Sequence, residues 1–231
     1  MLVVLAHPDP ESLNEAIAAA AVTAVREAGG NPVLHHLYRD GFDPRLPASE
    51  VPTPHTGVPH QAAPHSGAPH TGVPRPAEEL TRSGPARERR SVRFADEVAA
   101  RYAGDLTAAD VIVVVHPVWF FHLPAVLKGW VDRVVREDVA FEVGPAGEII
   151  GLLHARSALI VTTANSSPAT EAALLGGPLD DYWRTVVFGP AGVREVERLT
   201  LSPVRTSEAG TRAAWLAAVA RAVARHVGEV V

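Results

Sequence analysis

Cysteine is missing from all 231 residues, which rules out disulfides, thiolate metal sites and cysteine nucleophiles. Aromatic residues are scarce, at 6%, and Lys128 is the only lysine among 21 basic side chains. No apolar run approaches the ~20 residues of a bilayer span, so no membrane span is expected. The first apolar run starts at Leu2 with no basic stretch ahead of it; no signal peptide is expected, and the expected location is cytoplasmic. The formal net charge of −5 argues against a nucleic-acid partner. Neither a G-x-G-x-x-G fingerprint nor a Walker loop follows the first apolar run. What is present, 47% hydrophobic and 20% charged residues, suits a single domain with a sizeable core.

Residues 2–6 form a continuous apolar run, the pattern of a strand covered on both faces. Leu13, Ile17, Ala20, Ala21, Ala24 and Ala28 then recur at helical spacing, and Gly29-Gly30 ends the pattern. Further strands are expected at 31–38, 110–115, 157–163 and 195–201. Helices are expected after Pro124, near 178–187 and over 206–227. This alternation predicts an α/β fold: an open parallel five-stranded sheet, order 2-1-3-4-5, with helices on both faces.

Residues 47–90 interrupt the rhythm and are expected to be a poorly ordered, low-complexity insertion. Within them a five-residue repeat sets His55, His60, His65 and His70 in register. A metal-binding tract is one reading. Proline in every unit favours extended backbone, however, with neighbouring histidines roughly 15 Å apart at ~3.1 Å per residue. A solvated insertion is therefore the preferred expectation, and no metal site is assigned. The basic run 81–93 reads as a solvated face.

In an open parallel sheet, ligands bind beyond the carboxyl ends of the strands, where the strand order reverses. Three unusual loops should converge there: "HPDPESLN", "HPVWFFHLP" and "TTANSSP". The first offers His7 and then Ser12, Leu13 and Asn14 at a helix N-terminus suited to phosphate. Ser12 and Glu15 are also spaced as a capping box. The second carries Val118, Trp119, Phe120 and Phe121, rings that could wall a slot for a flat ligand or pack in an interface. The third supplies Thr162, Thr163, Ala164 and Asn165, able to meet a heterocycle's edge or simply to turn the chain.

The runs "AHPDPESLNEA", "LYRDGFDPRL" and "HPVWFFHLPAVLKGWVDRV" together resemble the NAD(P)H:quinone oxidoreductase family of flavodoxin-like flavoproteins. The resemblance implies FAD, with FMN possible, and NAD(P)H as electron donor, in a homodimer with active sites at the subunit interface. It implies that His7, Ser12, Leu13 and Asn14 hold the flavin phosphates and that Val118, Trp119, Phe120 and Phe121 line the isoalloxazine. Thr162, Thr163, Ala164 and Asn165 would meet the ring's other edge, and Phe121 and His122 would face the substrate. The family's Gly-Gly pair after the threonines is Ala164-Asn165 here. Its following tyrosine and histidine are absent from "SSPATEAALLGG", with Tyr182 and Trp183 further on as candidate replacements.

The expectation is a flavin-dependent enzyme that passes hydride from NAD(P)H to a quinone or related small-molecule electron acceptor. His122 is a candidate general acid, or else an ordinary surface histidine. Three alternatives stand beside this expectation: a flavin-binding ancillary subunit of a membrane transporter, a reductase of azo, nitro or biosynthetic compounds, and a scaffold without cofactor.

Overall fold

The computed structural model describes residues 1–51 and 92–228. The histidine repeat and most of the basic run lie outside them. Five parallel strands form the sheet: β1 (Leu2–Leu5), β2 (Val33–His36), β3 (Val111–Pro117), β6 (Ser157–Thr163) and β7 (Glu195–Leu201). Their order is β2-β1-β3-β6-β7, which is the expected 2-1-3-4-5 pattern. The three central strands were legible because a doubly covered strand is apolar on both faces; every residue of β1, β3 and β6 is buried.

Alternation along the strands divides the core. Ile112, Val114, Ala158 and Ile160 meet α2 (Glu97–Thr107), α3 (Ala125–Val134) and a π-helix (Tyr182–Phe188), around Tyr102, Leu127, Trp130 and Trp183. Val113, Val115, Leu159 and Val161 meet α1 (Leu13–Glu27) and α6 (Ala209–Gly228) on the other face. Ala18, Ala21 and Ala24 are buried there, and such small side chains let α1 lie close against its neighbours.

Several elements go beyond the expectation. Helix α2 was not anticipated, although Ala99, Tyr102, Ala103 and Leu106 form its buried face and Asp96 caps it, accepting from the Ala99 N–H at 2.8 Å. An antiparallel hairpin, β4 (Phe141–Val143) and β5 (Ile149–Gly151), stands apart from the main sheet, and a short helix α4 (Pro168–Leu175) follows β6. The single helix expected near 178–187 is α5 (Pro178–Asp181) running into the π-helix.

The capping box is only half made. Ser12 Oγ accepts from the Glu15 N–H at 3.2 Å, but the Glu15 carboxylate does not reach back. It takes Arg39 Nη2 at 2.7 Å and His36 Nε2 at 3.0 Å instead, because β2 ends beside it. The Ser12 N–H donates to the Asp9 carbonyl at 3.2 Å.

The segment read as the start of the insertion is fixed through Glu50, which ends a 3-10 turn (Ala48–Glu50) and is buried. Arg133 of α3, also buried, donates through Nε to Glu50 Oε2 at 3.1 Å, through Nη1 to the Asp43 carbonyl at 2.6 Å and through Nη2 to Asp96 at 2.7 Å. Glu50 Oε1 accepts from the Ala95 N–H at 2.7 Å. One guanidinium thus ties together the two stretches from which residues 52–91 depart. Beside it, a Cβ on Gly129 would stand 2.3 Å from the Pro44 carbonyl oxygen, so only glycine lets this loop lie on α3. Much of the "PAVLKGWVDR" run is therefore scaffold: Gly129 is a close approach, Trp130 is core and Arg133 is a tie.

Candidate functional site

The carboxyl ends of β1, β3 and β6 lie side by side, with the strand order reversing between β1 and β3. Two hydrogen bonds join the loops that leave them. The Val118 N–H donates to the Thr163 carbonyl at 2.8 Å, and Asn14 Nδ2 donates to Thr163 Oγ1 at 2.9 Å. The second bond is buried and spans 149 positions of sequence. Asn14 thus spends its amide on the third loop. What α1 offers a ligand is its opening N–H groups at Leu13 and Asn14, which precede any intrahelical acceptor.

The aromatic residues turn outward. Trp119 and His122 exchange two backbone hydrogen bonds of 3.0 Å, closing a two-residue turn around Phe120 and Phe121. Both phenylalanines have left-handed backbone, φ +50° and +61°. Such a turn favours Asn-Gly, and a bulky residue there costs about 1–2 kcal/mol. Phe120 is nevertheless 100% exposed, with Trp119 at 43% and Phe121 at 37%. Strain of this kind, with no burial in return at Phe120, is the mark of a functional segment. Phe120→Gly is expected to hold or raise unfolding stability, by up to about 1 kcal/mol in urea titration. A clear loss of stability would show that Phe120 packs against the fold.

His7 flanks the turn, its ring 5.8 Å from that of Trp119. Its Nδ1 accepts from the Asp9 N–H at 3.1 Å, so the neutral ring presents Nε2–H as a donor at the rim. In the third loop the threonine hydroxyls are occupied. Thr162, fully buried, lies 3.2 Å from Thr200 Oγ1 on β7, and Thr163 holds Asn14. Ala164 is buried, and Asn165 Oδ1 accepts from the Arg205 N–H at 2.8 Å. The two threonines therefore offer the rim their backbone rather than their hydroxyls. Arg198 supports it from below, paired with Glu171 at 2.7 Å and Asp180 at 2.9 Å.

Two further residues stand here that sequence reasoning left aside or open. His116 is fully buried one step before the loop, and burial pushes its imidazole down to about 4. Its Nδ1–H donates to the Pro117 carbonyl at 2.9 Å, while Nε2 has no partner among the described residues. Tyr182 meets His122 edge-on with ring centroids 5.3 Å apart. Burial, then the Asp132 charge, push its phenol up to about 12.

A cavity of about 500 Å³ lies elsewhere, lined by Gly41, Asp43, Arg45, Asp96 and Arg133 near the departure of residues 52–91. The rim chemistry is not there. Among the described residues no group of histidines and carboxylates could hold a metal ion, and no helix is long and apolar enough to cross a membrane.

A doubly wound parallel sheet with three specialised loops at its reversal point defines a flavodoxin-like α/β protein. The chain belongs to the family described as having the flavodoxin-like fold, whose model matches residues 1–227. It is 28% identical over 189 residues to a ribosyldihydronicotinamide dehydrogenase [quinone] of Pongo abelii, a match covering 82% of this chain and 68% of that one. An FMN-dependent NADH:quinone oxidoreductase of Shewanella frigidimarina is 31% identical over 115 residues, 49% of this chain and 53% of that one. A solved NAD(P)H:quinone oxidoreductase from Methanothermobacter marburgensis shares the fold, with TM-score 0.67 and 18% identity, covering 96% and 94% of the two chains.

Proposed function

We propose that this chain is a flavin-dependent NAD(P)H oxidoreductase that reduces quinones or related electrophiles as a homodimer. The observation that carries this reading is the strained, outward-facing Trp119–His122 turn, tied by Val118 to the backbone of Thr163. The residues present fit a flavin. Rings on a rigid turn suit a flat tricycle, and the N–H groups of Leu13 and Asn14 with His7 Nε2–H suit its phosphate end. When bound, a flavin supplies two-electron hydride transfer.

This chain's own residues do the rest. The β3 and β6 loops hold the ring between aromatic groups and backbone. Ser12 shapes the N-terminus of α1 while the Arg39 guanidinium offsets the Glu15 charge and His36 Nε2 hydrogen-bonds it, so that end of the helix stays receptive to an anion. A single helix N-terminus suits the single phosphate of FMN, the cofactor named for the Shewanella relative; FAD is the competing expectation from the sequence resemblance. In the proposed dimer a second copy covers exposed Phe120 together with Leu174, Leu175 and Val186.

Purified protein is expected to show an oxidised-flavin absorbance spectrum. Mass analysis of the released cofactor should identify FMN or FAD, and light scattering should report a dimer. Turnover of NADH or NADPH with small quinones is expected as well. Colourless protein that takes up neither flavin would sink the proposal. Flavin binding without acceptor turnover would point to the ancillary-subunit reading. Phe120→Gly is expected to weaken flavin binding by roughly two- to tenfold, the worth of one stacked ring.

A further inference from the structure

The π-helix Tyr182–Phe188 is an unusual element, and such segments concentrate at functional sites. Its first two rings reach the two histidines that bracket the aromatic turn. Trp183 meets His116 with centroids 5.7 Å apart, and Tyr182 meets His122 edge-on at 5.3 Å. Trp183 is fully buried and Tyr182 half-buried, so the pair forms a fixed wall behind an exposed imidazole. Asp132 of α3 acts on the Tyr182 phenol and is itself held by Lys128 at 2.5 Å. The groups that face His122 are therefore Tyr182 from the π-helix and His116 beneath the loop, with Asp132 and Lys128 behind Tyr182. His122 closes the turn one residue beyond Phe121, on the rim where an acceptor would lie.

We propose that His122 donates the proton that a two-electron acceptor requires, and that Tyr182 is the positioning residue that holds its imidazole toward that acceptor. This rests on the flavin-dependent reading above. A quinone takes up a hydride, which originates from NAD(P)H and carries two electrons, and one proton. The new bond to hydrogen leaves an oxyanion, and this oxygen takes H⁺ from the His122 imidazolium. A neutral imidazole remains, which water reprotonates. The edge-on contact restricts rotation of His122, and its origin in ring packing means that the phenol hydroxyl is dispensable.

The test compares quinone with ferricyanide, which takes electrons and needs no proton. For His122→Gln the ratio of quinone to ferricyanide turnover is expected to fall about 100-fold, the scale of general-acid catalysis. Tyr182→Ala should lower the same ratio, and Tyr182→Phe should restore it. Flavin affinity, by fluorescence titration of the apoprotein, should stay at the wild-type value in His122→Gln. If flavin-loaded His122→Gln keeps its ratio, or loses both acceptors equally, the proton-donor role is wrong. If Tyr182→Phe behaves like Tyr182→Ala, the positioning role is wrong. Wild-type protein that binds no flavin overturns the preceding reading, and this proposal with it.

Discussion

Arg133→Met is expected to destabilise the chain by up to about 3–5 kcal/mol, the scale for breaking a buried ion pair. Glu50 and Arg133 side chains are each 1% exposed, so removing the guanidinium takes the nearer of two cations from a carboxylate held away from water. Glu50 would keep the Ala95 N–H and, at 3.6 Å, the Arg136 guanidinium, and the Asp43 carbonyl would lose its donor. The double variant Arg133→Met/Glu50→Gln should recover much of the loss, because the most deeply buried carboxylate then no longer carries a charge, while Arg136 at the edge of the network is less buried. Urea unfolding of the three proteins measures this. A single-variant loss below about 1 kcal/mol would mean that water already solvates the network. The expected loss also bears on architecture. The tie closes the loop formed by residues 52–91 at its base, and loop-closure entropy rises only slowly with length. A long insertion is thus tolerated where the base is pinned by α3.

Acidification should separately weaken the fold through His116. Its ordinary value is 6.5, and burial brings it to about 4 in the folded chain, with the positive charges of Arg198 and His122 adding to the effect. The folded value is depressed, so between about 6.5 and 4 the unfolded chain binds more protons. Stability contributed by the neutral ring is therefore complete above about pH 6.5 and is lost as pH falls toward 4. The difference corresponds to roughly 3 kcal/mol. His35 is lowered as well, chiefly by burial, and contributes in the same direction. Unfolding midpoints at a series of pH values should thus fall steeply in this window for the wild type, and less steeply for His116→Leu. Equal slopes for the two proteins would show that His116 is already protonated, or solvated, in the folded state.

Both effects depend on contacts that residue patterns do not reveal. Arg133 sits in a helical run where arginine ordinarily faces water. His116 continues an apolar strand and looks like any strand-end histidine. The loops themselves were legible, because their composition departs from that of generic turns and the parallel sheet dictates where they emerge. The role of individual side chains within them was less so. Thr162 and Thr163 were expected at the rim, yet each hydroxyl points along its own face of the sheet, to β7 and to α1. Tyr182 stood open as a replacement, and the π-helix that sets it against His122 has no local signature.

The sequence by itself determined the strands, most of the helices and the parallel order. Strand and helix periods and doubly buried apolar runs are local properties, and right-handed crossovers leave few topologies open. Tertiary structure alone decided that Asn14 would hold Thr163, that Arg133 would hold Glu50 and that Tyr182 would face His122. Those pairings join positions far apart in the chain. They arise only when packed elements exclude water, so that each buried polar group takes whichever partner the fold brings within reach.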